Sequence, residues 1–349
     1  MDSFINCHTH IFTKDYLPPK FLPCRLVRIL SRIMKRKWLA HILMWLNPFR
    51  NDDLFNRISN LLLTASLKNQ KAVFGRLTRF YPEGTRFVVL SMDMDHMGAG
   101  RAKKNFRKQL LDLSSVRDEY PESCIPFVCA DPRADDPLGL VTEYIEVHGY
   151  KGIKIYPPYG YFPYDPRLDE IYGYAQSNGV PVLTHCAPAS FIFRGRITRE
   201  MREDPLTHER LPRCRKRLAE LWVHPGNYWK VLMKFPDLKI CLAHFGGIPA
   251  WGDYLDGKES WFSVVMEIIR EFPDVYTDVS YTVHKPEYYP LLKVVLQDSR
   301  IRSKVLYGSD YYMAEVGTSE RRYAINLRGY LGEADFRQIA EANPAAFLA

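Results

Sequence analysis

Eight apolar runs punctuate the chain: SFINCHTH (3–10), RFVVLSMD (86–93), SCIPFVCAD (123–131), YKGIKIYP (150–157), GVPVLTHC (179–186), DLKICLAH (237–244), DVYTDVSY (274–281) and KVLYGSD (304–310). Their length and residue types predict buried strands. Between them, helical spacing of apolar positions predicts helices over 138–147, 168–177, 226–235, 260–272 and 287–297. Strands alternating with helices point to α/β architecture with a parallel sheet, and eight of them predict a (β/α)₈ TIM barrel. A doubly wound open sheet is the competing arrangement, weakened a little because no GxGxxG follows the first strand. Two long intervals break the rhythm, one over about 12–83 after the first strand and one over about 188–224 after the fifth. Each follows the C-terminal end of a strand, so each is expected to lie over the same face of the barrel. There is no internal repeat and no low-complexity linker, so residues 1–349 read as one domain.

Polar side chains recur at the ends of these runs: His8 and His10, Lys154, His185, His244 and Asp310. In a (β/α)₈ barrel all C-terminal strand ends converge on the catalytic face. His8 and His10 stand two apart on a strand, which predicts that both imidazoles project to one side and reach one ion. Neutral histidine nitrogens together with a carboxylate compose a site that suits Zn²⁺, with a position left open for water. Taken singly, each residue also has a plain structural reading. Asp310 could cap the following helix, His244 could be a core histidine beside a glycine turn, and Lys154 could snorkel at the barrel rim.

Composition adds limits. Of 349 residues, 46% are apolar and 25% charged, enough for a large core. No run approaches the 20 or so apolar residues that span a bilayer, and the start of the chain lacks a signal-peptide pattern. Seven cysteines are scattered without CxxC pairs, which reads as reduced core thiols in a cytoplasmic protein. The net charge of +8 is local. Eight basic residues and no acidic one lie between Pro18 and Asn51, and the rest of the chain carries 40 of each sign. Within that window, residues 22–46 read as an amphipathic helix or pair. Leu26, Ile29, Leu30 and Ile33 form one face, and Arg25, Arg28, Arg32 and Arg36 lie off it. Packing on the barrel, peripheral contact with an anionic membrane, or subunit contact in a homo-oligomer each suit such a segment. Nucleic acid does not, because the charge is one isolated block without a recognition motif. The second insertion is also rich in arginine, and one or two of these facing the site would favour a carboxylate or phosphate on the substrate. Tyr156, Tyr159, Tyr161 and Phe162 follow the fourth strand and could line an aromatic-accepting pocket.

The ordered set INCHTH, GIKIYPP, PVLTHC, DLKICLAHFGG and LYGSD resembles the amidohydrolase superfamily, in particular the amidohydrolase-related branch that includes aminocarboxymuconate semialdehyde decarboxylase. The closing ANPAAFL is similar to that branch's terminal helix. The resemblance runs from the first strand to the last helix, the two insertions excepted. It implies His8, His10, His185 and Asp310 as ligands of a principal metal. It also implies His244 as either a second-metal ligand or an acid–base group, and Asp310 as the group that accepts and returns a proton. GIKIYPP is also similar to the fourth-strand motif of the dihydroorotase and phosphotriesterase branches. There the lysine, here Lys154, carries a carboxylate from CO₂ and bridges two metals; with a single metal, it would pair with a substrate carboxylate or a site acid instead. The cofactor expected is Zn²⁺, as one or two divalent ions, with Mn²⁺, Fe²⁺ or Co²⁺ compatible with the same donors. The leading expectation is a hydrolase that uses metal-activated water to cleave a C–N or C–O bond (amide, lactam, lactone or ester) of a small anionic or aromatic substrate. A decarboxylase or hydratase on the same site is the alternative. A non-enzymatic membrane- or partner-binding barrel with a structural metal is the third.

Overall fold

The computed structural model describes residues 4–21, 61–188 and 191–349. The basic segment over 22–46 lies outside them. Eight parallel strands form one sheet in sequential order: β1 (Ile5–Thr9), β2 (Arg86–Leu90), β3 (Cys124–Ala130), β4 (Gly152–Ile155), β5 (Val182–His185), β6 (Ile240–Ala243), β7 (Val275–Asp278) and β8 (Val305–Leu306). The ends of the sheet meet. Cys7 N donates to Tyr307 O (2.8 Å), Asp310 N donates to His8 O (2.8 Å), and Thr9 bridges Tyr311. The fold is therefore the (β/α)₈ barrel, each strand falling within an apolar run of the sequence.

The surrounding helices follow the expected local rules. Over Trp261–Glu271, Phe262, Val265, Met266 and Ile269 recur at i, i+3, i+4 and i+7 and are buried, while Ser260 caps the start by accepting from Phe262 N (3.2 Å). Asn105 does the same for Phe106–Glu119, accepting from Lys108 N (3.0 Å). The helix expected over 138–147 begins at Pro137 and changes at Glu143 into a wider turn that runs to Val147. The second insertion holds a helix of its own, Arg215–Val223. It lies over the C-terminal face of the barrel: Phe193 N donates to Pro158 O (2.9 Å) and Arg194 N to Met97 O (2.8 Å), joining the loops after β4 and β2.

Inside the barrel, Ile5, Cys7, Val88, Leu90, Phe127, Leu183, Cys241 and Leu306 pack in layers. The Phe127 ring needs Gly152 opposite it, because a Cβ there would lie 2.4 Å from the ring. Phe347, near the C-terminus, joins this inner cluster. Among the described residues no helix is long and apolar enough to cross a membrane.

Candidate metal centre and pocket

The pairing of β1 with β2 contains an irregularity that sets the site. Asn6 pairs with Phe87 and Thr9 with Val89, so three steps on β1 oppose two on β2. Strict alternation from the inward Ile5 and Cys7 would turn His8 outward, towards the helices. The extra residue changes that parity, and His8 and His10 both enter the inner cavity at the C-terminal face. Gly308 leaves room for this: a Cβ there would meet the His8 Cβ at 2.8 Å and the Ser280 Cβ at 3.2 Å.

His8 Nε2 and His10 Nε2 stand 3.6 Å and 3.4 Å from Asp310 Oδ1. His10 Nδ1 donates to Leu90 O (3.0 Å), and His8 Nδ1 donates to Asp278 Oδ2 (2.8 Å). Each hydrogen bond fixes the proton on Nδ1, so both Nε2 lone pairs face the carboxylate. Two lone pairs and a carboxylate oxygen converging in a buried space repel one another unless a cation lies between them. This donor set therefore fits a divalent metal. The shifts of the two histidines agree. Burial first, then neighbouring positive charge, pushes His10 well below the usual histidine range, and burial lowers His8 against the pull of Asp278. Burial also raises Asp310 well above the usual carboxylate range, with Lys154 opposing it. Asp310 does not cap the turn that follows; its backbone has φ +62°, and its side chain faces the two histidines.

His185 and His244 lie in the same pocket but face each other. His244 Nε2 is 3.0 Å from His185 Nδ1, and the other His185 nitrogen is 3.0 Å from Ala187 O. His185 is thus the one expected principal ligand that does not converge on Asp310; joining the cluster would require its ring to turn. His244 Nδ1 is 2.8 Å from Ser280 Oγ and 3.1 Å from Ser280 O, and burial pushes its pKa down to about 3. Lys154, on β4, is buried in the pocket with no ion pair among the described residues, and burial lowers it to about 8.

Asp278, at the end of β7, is the site residue that the sequence pattern did not single out. Its Oδ1 accepts from His244 N (2.9 Å), Ser280 N (3.0 Å) and the Ser280 hydroxyl, while its Oδ2 accepts from His8. Burial alone would raise its pKa, but His8 and these hydrogen bonds hold it well below the usual range. In the sequence it sat inside the run DVYTDVSY with no motif of its own. The remaining signal was position, a carboxylate at a strand's C-terminal end. Backbone conformation also marks this face. Five non-glycine residues among those described have positive φ, and four of them (His244, Phe245, Tyr281 and Asp310) lie within four residues after the end of β6, β7 or β8.

The cavity above the cluster has a volume of about 500 Å³. Loops after seven of the eight strands contribute to it, with Phe12, Met94, Tyr156, Phe191, Ile248 and Met313 on its walls. Tyr156 and Tyr159 line it as expected, but Tyr161 and Phe162 do not. The arginines of the second insertion do not reach it either. Among the described lining residues Lys154 is the single lysine or arginine, so the case in which an arginine of that insertion faces the site and favours a carboxylate or phosphate is not met by the described lining. Arg215, for example, donates to Gly195 O (2.8 Å) within the insertion itself.

Fold and cluster together define a parallel eight-stranded barrel with a histidine–carboxylate site at its strand ends. The chain belongs to the amidohydrolase family, whose model matches residues 5–349. No curated protein sequence matches it. Among solved structures, an uncharacterized TIM-barrel protein from Bordetella bronchiseptica is similar at 14% identity and a TM-score of 0.60, covering 99% of this chain and 98% of its own. A 5-carboxyvanillate decarboxylase from Sphingomonas paucimobilis is similar at 12% identity and a TM-score of 0.53, covering 100% and 99%. A probable 2-pyrone-4,6-dicarboxylic acid hydrolase from Acinetobacter baumannii, with citric acid bound, is similar at 10% identity and a TM-score of 0.55, also covering 100% and 99%. At these identities the likeness concerns the fold.

Proposed function

We propose that this protein is a metal-dependent hydrolase that cleaves a C–N or C–O bond of a small molecule in the pocket above His8, His10 and Asp310. The observation that carries the reading is the convergence of two histidine lone pairs and one carboxylate oxygen at the floor of an open cavity. These three residues would hold the ion, with a turned His185 as fourth donor. Zn²⁺ suits them best, and Mn²⁺, Fe²⁺ or Co²⁺ suit them next. A divalent ion there supplies Lewis acidity to a water or to a substrate oxygen.

The chain's own groups would do the rest. Asp310 accepts the proton of the attacking water and returns it to the leaving nitrogen or oxygen as the C–N or C–O bond breaks. His244, its Nδ1 proton held by Ser280, offers the Nε2 lone pair to a proton released in the reaction or to a second ion. Lys154 places a positive group beside the substrate, or, when carboxylated by CO₂, offers two oxygens to a second ion. A decarboxylase is the second reading. It is favoured by the 5-carboxyvanillate decarboxylase among the similar folds and by the fact that the same site needs no water for loss of CO₂.

The deciding experiment is elemental analysis of the chain and of Lys154→Ala, purified without chelator in bicarbonate buffer. It is coupled to assays of amide, lactone and aryl carboxylate panels for water addition or CO₂ release. At least one bound metal with hydrolysis is expected. Two metals falling to one in Lys154→Ala would assign the carboxylated lysine, CO₂ release without hydrolysis would give the lyase reading, and absence of metal even after reconstitution would overturn both.

A further inference from the structure

Resting on the metal-site reading above, we infer that the substrate is a molecule with one compact polar head and a substantial apolar body. Among the described lining residues the ionisable side chains other than tyrosine gather at the strand ends (His8, His10, Lys154, His185, His244 and Asp310), with the hydroxyls of Tyr156, Tyr159, Tyr281 and Thr282 as the other polar groups. Above the strand ends, successive loops contribute apolar side chains, including Phe12, Met94, Phe191, Ile248 and Met313. Phe21 joins them, its ring stacked on Phe191 at 4.5 Å.

An anionic group needs a partner when it leaves water, and a guanidinium or ammonium is the usual one. The described walls offer a single such group, Lys154, and it stands at the floor beside the cluster. One carboxylate, or one polarised carbonyl, can therefore be satisfied there. Among the described lining residues a second carboxylate several ångströms away would meet mainly Phe, Met and Ile side chains, with tyrosine and threonine hydroxyls as its polar contacts and no second cation. The arginine-rich insertion does not relieve this: Phe193, Arg194 and Arg215 tie it down through backbone contacts, and none of its arginines reaches the lining. A cavity of about 500 Å³ is within the range that encloses a drug-sized ligand. The apolar walls thus select an alkyl or aryl body, and the floor selects the head.

The test uses alkyl hydroxamates, which present a compact metal-binding head on a chain of chosen length. Acetohydroxamate, hexanohydroxamate, octanohydroxamate and suberic monohydroxamate are titrated calorimetrically into the full chain, both as purified without chelator and after chelator treatment. Affinity is expected to rise about two- to fourfold per added methylene from two to eight carbons. The terminal carboxylate of suberic monohydroxamate is expected to weaken binding at least tenfold relative to octanohydroxamate. Ile248→Asp, which places a charge in a partly exposed wall position, should weaken octanohydroxamate about tenfold while changing acetohydroxamate little. Affinity that is flat with chain length, or suberic monohydroxamate binding as tightly as octanohydroxamate, would overturn the inference. The two readings separate cleanly. Chain-length dependence in both preparations, with no effect of chelator on any member, sinks the metal reading and leaves the apolar pocket standing. Chelator-sensitive acetohydroxamate binding with no dependence on chain length does the reverse.

Discussion

Asp278 touches no ligand-facing nitrogen, yet it determines which nitrogen of His8 faces the cluster. Replacing it with Asn keeps the shape and removes the charge that holds the Nδ1 proton. Such outer partners commonly account for about 10- to 100-fold in metal affinity. Asp278→Asn is expected to fall in that range in a chelator-competition titration, and an unchanged affinity would deny Asp278 this positioning role. A second buried carboxylate acts on stability instead. Glu320 accepts from the Tyr81 hydroxyl (2.5 Å), but its other oxygen has no hydrogen-bond partner among the described residues. Burial raises its pKa from 4.5 to about 7. Below 4.5 the folded and unfolded chains are both protonated and the stabilising effect is complete. As pH rises through about 7 the unfolded chain has already released its proton, so stability is lost across that window and then levels off. The shift corresponds to about 3 kcal/mol. Urea unfolding at pH 5 and pH 8 should show a fall that is about 2 kcal/mol smaller in Glu320→Gln than in the parent, and equal falls would point to another group.

At the scale of elements, the site depends on how β1 and β8 meet. The bulge in β1 brings His8 inward, and the bare Cα of Gly308 accepts it. Gly308→Ala puts a methyl against the His8 Cβ, a contact too short to keep, so one strand must shift. Overpacking of this kind costs about 1–3 kcal/mol, and it should lower metal content together with thermal stability. A variant that loses stability while binding metal normally would show that the strands yield elsewhere. Among the helices, Ser260 caps Trp261–Glu271, and its hydroxyl also donates to Ala250 O. Ser260→Ala is expected to cost about 1–2 kcal/mol in denaturant unfolding with no change in metal content. These helices were legible because each needs only its own periodicity and cap. The bulge was not, because INCHTH looks the same with or without an extra residue in the ladder.

At the scale of the whole molecule, the three proposed ligands come from opposite ends of the chain, His8 and His10 from its first strand and Asp310 from beyond its last. An ion shared by them ties the closing seam of the barrel together. A ligand that binds the folded state alone stabilises it by mass action, by about 4 kcal/mol when present at a thousand times its dissociation constant. Chelation is therefore expected to lower the melting temperature of the parent by several degrees and to leave His10→Ala unaffected. An equal response in both would place the stabilising ion elsewhere.

The order of apolar runs determined the barrel, because alternating strand and helix periods have few ways to bury both sets of apolar faces. The polar residues at the run ends likewise determined that His8, His10, Lys154, His185, His244 and Asp310 would share one pocket, since parallel strands bring all such ends to one face. Three matters were decided only in three dimensions. The parity of His8 depended on a bulge, the pairing of His185 with His244 depended on ring orientation, and Asp278 gained its role from a hydrogen bond spanning 270 residues. The exclusion of the insertion's arginines from the pocket belongs with these. Charge along the chain records how many cations there are, but which of them reach a cavity depends on how a loop is tied down across the barrel face.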